Sequence, residues 1–456
     1  MAEARIFRWP SQEQLVWALF FGVNATVFFN GLFHDPRIGY DAISHLTYVK
    51  ILASGHLPVE GQTIEYHSPP LPYLLPALLA APGWLGEGAV NKLAQLQNVL
   101  CSVGITLLML RLSERLAPGK TLVKLAALGL LGSLPVYYKT MVMVRGEPLL
   151  AFLALLVLER SLTLFLDPAP RLGRAARTGV LFGLLVLARQ WGFFFYPALG
   201  LWLLALVLRR RERFLPHLKA LAVCWGVAFV VGSWFYFVQL GRYGSLTRFN
   251  RPATGFSLAN QPREFYFGLG LDKLFSEPIR EAFPNQLLPI FHAETYGDYW
   301  GYFLVKQQFW NEVVVHNREQ IKGYLGRACL LGLLPSAVLV AALLLGLGAL
   351  GPLLRRRLPD DELGPPATTA LLALAVVVSW LGYLWFLISY PNLGKGDTIK
   401  ASYLLQLFPL LALLGGLLLE RLRSRQPWLG RALGWALVAV AAHNALAFVT
   451  RYPASL

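Results

Sequence analysis

The residues able to do chemistry in this chain gather in a few short polar breaks between long apolar runs. The first break, Gly39 to Tyr73, reads GYDAISHLTYVKILASGHLPVEGQTIEYHSPPLPY. It places Asp41 directly after Tyr40, carries His45 and His67, and closes on Pro69-Pro70. A carboxylate kept in an otherwise lipid-soluble chain is a candidate general base, provided it comes within hydrogen-bond reach of the proton it takes. The plainer alternative is that Asp41 caps the helix after it. The second break, Val144-Arg145-Gly146-Glu147-Pro148, supplies another acid with an Arg two residues earlier. Two acids converging on one cavity can divide labour, one as base and one orienting a sugar or a metal ion.

A third candidate is Arg189, alone among apolar residues in TGVLFGLLVLARQWGFFFYPALG (178–200). A charge at that depth is costly unless paired or facing a polar cavity. Its guanidinium suits bidentate binding of phosphate, while the alternative is that it snorkels to head groups beside Trp191. The last break, Tyr390 to Lys400, holds Lys395 and Lys400 in a Gly-containing turn that leads to Tyr403. Cations there point to an anionic ligand or simply to a solvated turn.

Positioning these groups falls to a membrane bundle. The 456 residues are 56% hydrophobic, with a mean hydropathy of +0.51. Apolar runs at 12–33, 91–110, 121–138, 148–166, 178–208 (long enough for two short spans), 218–240, 327–351, 367–390, 401–420 and 428–449 predict about eleven crossings of the hydrocarbon layer. The first run lacks a cleavage site and reads as an anchor. The net charge of +16 sits in alternate short links, among them Arg209–Arg213, Arg355–Arg357 and Arg421–Arg425. That is the positive-inside pattern; it puts those links and the N-terminus in the cytoplasm, and it argues against nucleic acid, whose site would gather the charge on one face. The acids and Arg189 then share the opposite, external side.

Two external segments are long. In 34–90, apolar residues at Ile43, Leu46, Val49, Ile51 and Leu52 predict a helix from Asp41 to Gly55 in the interface plane, and Leu71 to Ala80 a second piece too short to span. In 241–326, FHAETYGDYWGYF (291–303) offers His292, Glu294 and Asp298 to sugar hydroxyls and Tyr296, Tyr299 and Trp300 as stacking platforms, unless the rings form an interfacial belt. Six of eight His are external, including His34, His56 and His316. Asp41 and His45 share the i, i+4 spacing of a metal pair, but no tight cluster completes it, so no cofactor is assigned and a divalent ion stays an open alternative. Cys101, Cys224 and Cys329 sit in or beside apolar runs and form no zinc or disulfide pattern.

Together the motifs resemble the GT-C membrane glycosyltransferases that use polyprenyl-phosphate sugars, in particular the protein O-mannosyltransferases and the lipid A aminoarabinose transferases. The matching residues are Asp41 after the first crossing, Ser54-Gly55, Ser68-Pro69-Pro70-Leu71-Pro72-Tyr73, Glu147-Pro148, Gly183-Leu184 to Arg189, and more loosely Lys400, Tyr403-Leu404-Leu405 and Pro409. The sequence departs from the family pattern where Ala42 stands in place of a second acid and His67-Ser68 replaces a basic residue.

The resemblance implies an all-α, GT-C-like catalytic core over 1–420, with 421–456 as a cytoplasmic link and last helix. It implies a polyprenyl-phosphate sugar donor, a glycan, lipid or protein acceptor, and no nucleic acid. Asp41 and Glu147 would be catalytic, and Arg189, Lys400 and Arg145 would hold the donor phosphate. Tyr40, His45, His67, Tyr73, His292, Glu294 and Tyr403 would contact substrate. The rival expectation is a transporter or flippase for a lipid-linked or anionic substrate, which should carry a two-fold repeat of spans. No such repeat is visible.

Overall fold

The computed structural model describes residues 10–209, 214–306, 317–355, 360–393 and 398–454. Lys395, His316 and much of the basic runs Arg209–Arg213 and Arg355–Arg357 lie outside the described residues. The described chain is helical: α1 (Gln12–Phe33), α2 (Ala42–Ala53), α3 (Leu71–Ala80), α4 (Glu87–Leu116), α5 (Thr121–Gly132), α6 (Pro135–Met141), α7 (Glu147–Phe165), α8 (Leu172–Ala188), α9 (Phe195–Arg209) and α10 (Phe214–Tyr243). It continues with α11 (Arg263–Phe267), α12 (Leu271–Leu274), α13 (Leu287–Tyr296), α14 (Arg318–Gly348), α15 (Leu350–Arg355), α16 (Asp360–Ser389), α17 (Leu407–Arg425) and α18 (Pro427–Asn444). Among the described residues the β structure is a single bridge, His34 to Pro453.

Each apolar run of the sequence is a helix. Eight stretches are long and apolar enough to cross a membrane, and α5 with α6 makes a ninth, bent by 68°. The bend follows from Pro135 at the first position of α6, which cannot donate back into the preceding turn. The difference from about eleven has two causes. Helix α8 is only 17 residues long, and α17 carries Glu420, Arg421, Arg423 and Arg425 in its last turns. The two shorter helices of the first long loop, α2 and α3, fall where the periodicity places them. Gly55, at φ 92°, stops α2 in a left-handed turn that a side chain would strain.

Packing is helix on helix around one apolar core, with α8 along α10, α5 along α17 and α4 against α1 and α7. Phe21, Phe229, Val230 and Trp435 project outward instead, as expected of a surface whose solvent is lipid. The two ends of the bundle differ in charge. At one end Lys120 meets Glu420, Arg115 meets Glu159, and His217 bonds the Phe165 carbonyl. That end carries the basic links. The loops at the other end converge on a cavity.

Candidate active site

The chain enters the cavity through the turn before α2. Asp41 occupies the N-cap position, yet its backbone is left-handed (φ 53°, ψ 27°) and its side chain makes no capping bond. Asp tolerates this conformation better than most residues, but such backbone persists only where the surroundings enforce it. The carboxylate is therefore not used as a helix cap. It turns toward Lys400, whose Nζ lies 3.6 Å from Oδ2, and about a third of the side chain stays exposed. His45, four residues on, faces inward, its Nδ1 2.7 Å from the Tyr73 hydroxyl.

Lys400 sits among three rings, 4.9 Å from the centroid of Tyr40, 5.3 Å from Trp300 and 5.5 Å from Tyr403. Burial works against its ammonium, but Tyr403 and Asp41 outweigh it and hold the Lys400 pKa above the ordinary lysine value. The cavity, of about 260 Å³, is lined by Tyr40, Asp41, Glu65, His67, Arg189, Trp191, Phe249, Arg251, Arg280, Trp300, Lys400 and Tyr403, among others. Asp41 and Arg189, 148 positions apart in the numbering, share one hollow.

Behind this face lies a buried charge cluster. Arg145 grips Glu147 through Nε at 2.6 Å and Nη2 at 2.9 Å. Arg189 donates from Nε to the other side of the cluster, Glu147 Oε1, at 3.0 Å, and from Nη1 to Glu65 Oε2 at 3.1 Å and to the Ser68 hydroxyl. Two guanidinium groups and two carboxylates thus neutralise one another. Gly146 makes this closeness feasible, because a Cβ there would lie 2.6 Å from the Ala188 carbonyl and 3.1 Å from Arg189 Cγ. Burial alone would push the Glu65 carboxyl up; His45, Arg189, His67 and the Ser68 hydroxyl reverse this and hold it well below the usual carboxylate range. Burial likewise lowers His45 to about 4 against the pull of Glu65, and lowers His67, so both imidazoles are neutral near pH 7.

The residues singled out in the sequence divide by position. Tyr40, Asp41, His67, Arg189, Lys400 and Tyr403 line the cavity. Arg145 and Glu147 lie behind it, with the Arg145 guanidinium 5.1 Å from the Tyr40 ring and 5.3 Å from Tyr403. His45 and Tyr73 bond each other at 2.7 Å behind Glu65 and do not line the cavity. His292 bonds the Cys329 carbonyl at 2.8 Å, between α13 and α14 and away from the site. Glu294 is fully buried, bonded to the Tyr40 hydroxyl and 2.7 Å from Lys139 Nζ. Burial and the Asp298 carboxylate push Glu294 well above the usual carboxylate range. Sequence reading missed Glu65, Arg251, Arg280 and Lys139; Glu65 alone stood in an already marked polar cluster. Among the described residues no group of three or more His, Cys, Asp or Glu is placed to hold a metal ion.

A second hollow adjoins the first. It is a groove of about 660 Å³ between α8, α9, α10 and α16, walled by Phe193, Tyr196, Trp225, Phe229, Phe237 and Trp385. Gln190, Trp191 and Phe249 belong to both hollows, so the charged cavity and the apolar groove lie side by side with these three side chains between them.

No family model matches the chain, and no curated protein matches it. Among solved structures, the apo oligosaccharyltransferase of Archaeoglobus fulgidus is similar at 14% identity over 97% of this chain and 57% of that one, with a TM-score of 0.48. The same enzyme tethered to an acceptor peptide containing the NVT sequon gives 14%, 97% and 56%, with a TM-score of 0.49. ArnT from Cupriavidus metallidurans bound to undecaprenyl phosphate gives 16%, 89% and 78%, with a TM-score of 0.40. The chain spans little more than half the length of the archaeal enzyme. Both are GT-C glycosyltransferases, the family whose motifs this sequence resembles.

Proposed function

We propose that this chain is a membrane glycosyltransferase that moves a sugar from a polyprenyl-phosphate donor to an acceptor at the external face, with its N-terminus in the cytoplasm. The observation that carries the reading is the adjacency of the two hollows: a cavity lined by Asp41, Lys400 and Arg189 lies against an apolar groove, the two sharing Gln190, Trp191 and Phe249. A molecule with a charged head and a long hydrocarbon tail fits that pairing; a soluble nucleotide sugar needs no such groove. Phosphate would sit against Lys400 and the Arg189 rim, sugar against Trp300, Tyr302 and Tyr403, and tail in the groove.

In this reading Asp41 accepts the proton of an acceptor hydroxyl or amine as its lone pair attacks the anomeric carbon. The bond from that carbon to the phosphate oxygen breaks, and the departing lipid phosphate takes the electron pair. Lys400 stabilises the developing charge, a fixed electrostatic contribution of the kind that often dominates catalysis. Glu147 and Glu65 act indirectly: their hydrogen bonds to Arg145 and Arg189 hold the cationic side of the cavity in place.

The test is transfer from a radiolabelled polyprenyl-phosphate sugar in proteoliposomes, comparing wild type with Asp41→Asn. Transfer that falls about 100-fold or more in a folded variant supports the reading. Accumulation of the intact lipid-linked sugar on the other leaflet, without cleavage, would mean a flippase instead.

A further inference from the structure

Buried charge is expensive in any fold, and behind the cavity wall this chain buries three ionisable groups together. Lys139 on α6, Glu294 on α13 and Asp298 after it have no exposed surface. Lys139 Nζ lies 2.7 Å from Glu294 Oε1 and 3.9 Å from Asp298 Oδ1, and it donates to the carbonyls of Glu294 at 2.8 Å and Gly297 at 3.2 Å. Asp298 in turn accepts the backbone N–H groups of Tyr302, Phe303, Leu304 and Val305, folding that turn around itself. Replacing such a cluster by well-packed apolar side chains is commonly neutral or stabilising, so stability alone does not account for it.

Glu294 reaches forward from this cluster to two walls of the cavity. It accepts the Tyr40 hydroxyl, and its Oε2 takes the Trp300 backbone N–H at 3.4 Å. Tyr40 precedes Asp41 in the chain, and Tyr40 and Trp300 are two of the three rings around Lys400. The charged and titratable groups around Asp41 are Lys400 at 3.6 Å and, on the other cavity walls, Glu65, His67, Arg189, Arg251 and Arg280. The Tyr40 hydroxyl itself donates to Glu294.

We infer that Glu294 is a positioning residue: held from behind by Lys139, it fixes Tyr40 and Trp300 and thereby sets the Asp41–Lys400 pair. The inference deepens the proposed transferase and rests on that reading for its kinetic consequence only. Burial, with Asp298 beside it, pushes the Glu294 carboxyl well above the usual carboxylate range, toward the uncharged acid. A neutral amide should therefore serve nearly as well as the acid.

The variants Glu294→Ala, Glu294→Gln, Tyr40→Phe and the double Tyr40→Phe/Glu294→Ala test this. Two measurements are made on folded protein in detergent. One is the rate at which a water-soluble carbodiimide modifies Asp41 at one fixed pH, read by mass spectrometry. The other is kcat and KM for sugar transfer. The expected result is altered Asp41 modification in Tyr40→Phe and Glu294→Ala, with the double variant no worse than the poorer single one, and substantial recovery in Glu294→Gln. Turnover should fall about tenfold with the loss of a buried hydrogen bond. Should Glu294→Ala fail to fold, Tyr40→Phe decides alone. Wild-type Asp41 modification in folded Tyr40→Phe, or Glu294→Gln as damaged as Glu294→Ala, overturns the inference. Absence of any transfer by wild type would sink the proposed function while leaving the modification data to judge Glu294.

Discussion

The cavity holds its carboxylates in two unlike settings, and the contrast separates chemistry from support. At the front, Asp41 is partly exposed, carries no helix-capping bond, and meets a single cation at 3.6 Å. At the back, Glu147 is fully buried and takes three short bonds from two guanidinium groups, with Glu65 completing the cluster. Three donors take up most of the acceptor sites of Glu147. Asp41 meets Lys400 at 3.6 Å and keeps about a third of its side chain exposed, which leaves its oxygens open to a substrate proton. Under the proposed function, the front carboxylate is the one that reacts and the back pair is the frame that aims the cations.

That division is sharpened most by damage at the back. Glu147→Ala leaves Arg145 buried without its carboxylate and Arg189 with Glu65 alone, and removing one partner of such a cluster costs about 3–5 kcal/mol. The expected outcome is a large drop in melting temperature in detergent and little recoverable protein. A variant as stable as wild type would show that the back cluster is not a frame.

Acid should stress the same region next. The folded pKa of His45 lies near 4, below the value of 6.5 usual for the free side chain. The unfolded chain thus binds a proton that the folded chain refuses, so stability is fully present above about pH 6.5 and is lost as pH falls toward 4. The difference amounts to up to about 3 kcal/mol for this residue. Thermal melts across that range check it, and His45→Gln should flatten the dependence.

At the front, Lys400→Met should leave melting unchanged and raise the donor KM by about 10- to 100-fold, the expected loss of one charge-assisted phosphate contact. A fall in kcat should accompany it, since Lys400 also faces the departing phosphate; wild-type kcat and KM would take Lys400 out of the site. The smallest expected effect lies in the groove. Ser233→Phe narrows it near Trp225 and Phe229, and should penalise long-chain carriers a few-fold more than short ones, read as a ratio of kcat/KM values.

How much of this was legible in the sequence depends on the range of the interaction concerned. Local features were readable. Hydropathy located the long helices, though not α11, α12 or α13, and the prolines and Gly55 placed α2 and α3, because those elements follow from nearest neighbours along the chain. Asp41, Arg189 and Lys400 stood out as charges in apolar surroundings, and the structure brings them to one hollow. What could not be read were the partners. Glu65 bonds Arg189 across 124 positions and Tyr40 bonds Glu294 across 254, and no spacing rule encodes such pairs. Nor does an Asp before a helix announce whether it will cap it; the left-handed backbone at Asp41 is imposed by tertiary packing. His292 and Glu294 looked alike as polar residues of an aromatic loop, yet one bonds a carbonyl of α14 and the other anchors the cavity wall.

The most direct measurement sets front against back in one experiment: melting temperature and sugar transfer for Asp41→Asn and Glu147→Gln, side by side with wild type. The account predicts that Asp41→Asn melts as wild type does and transfers about 100-fold less sugar or worse, whereas Glu147→Gln loses melting temperature first and activity with it. Asp41→Asn turning over at the wild-type rate would contradict it.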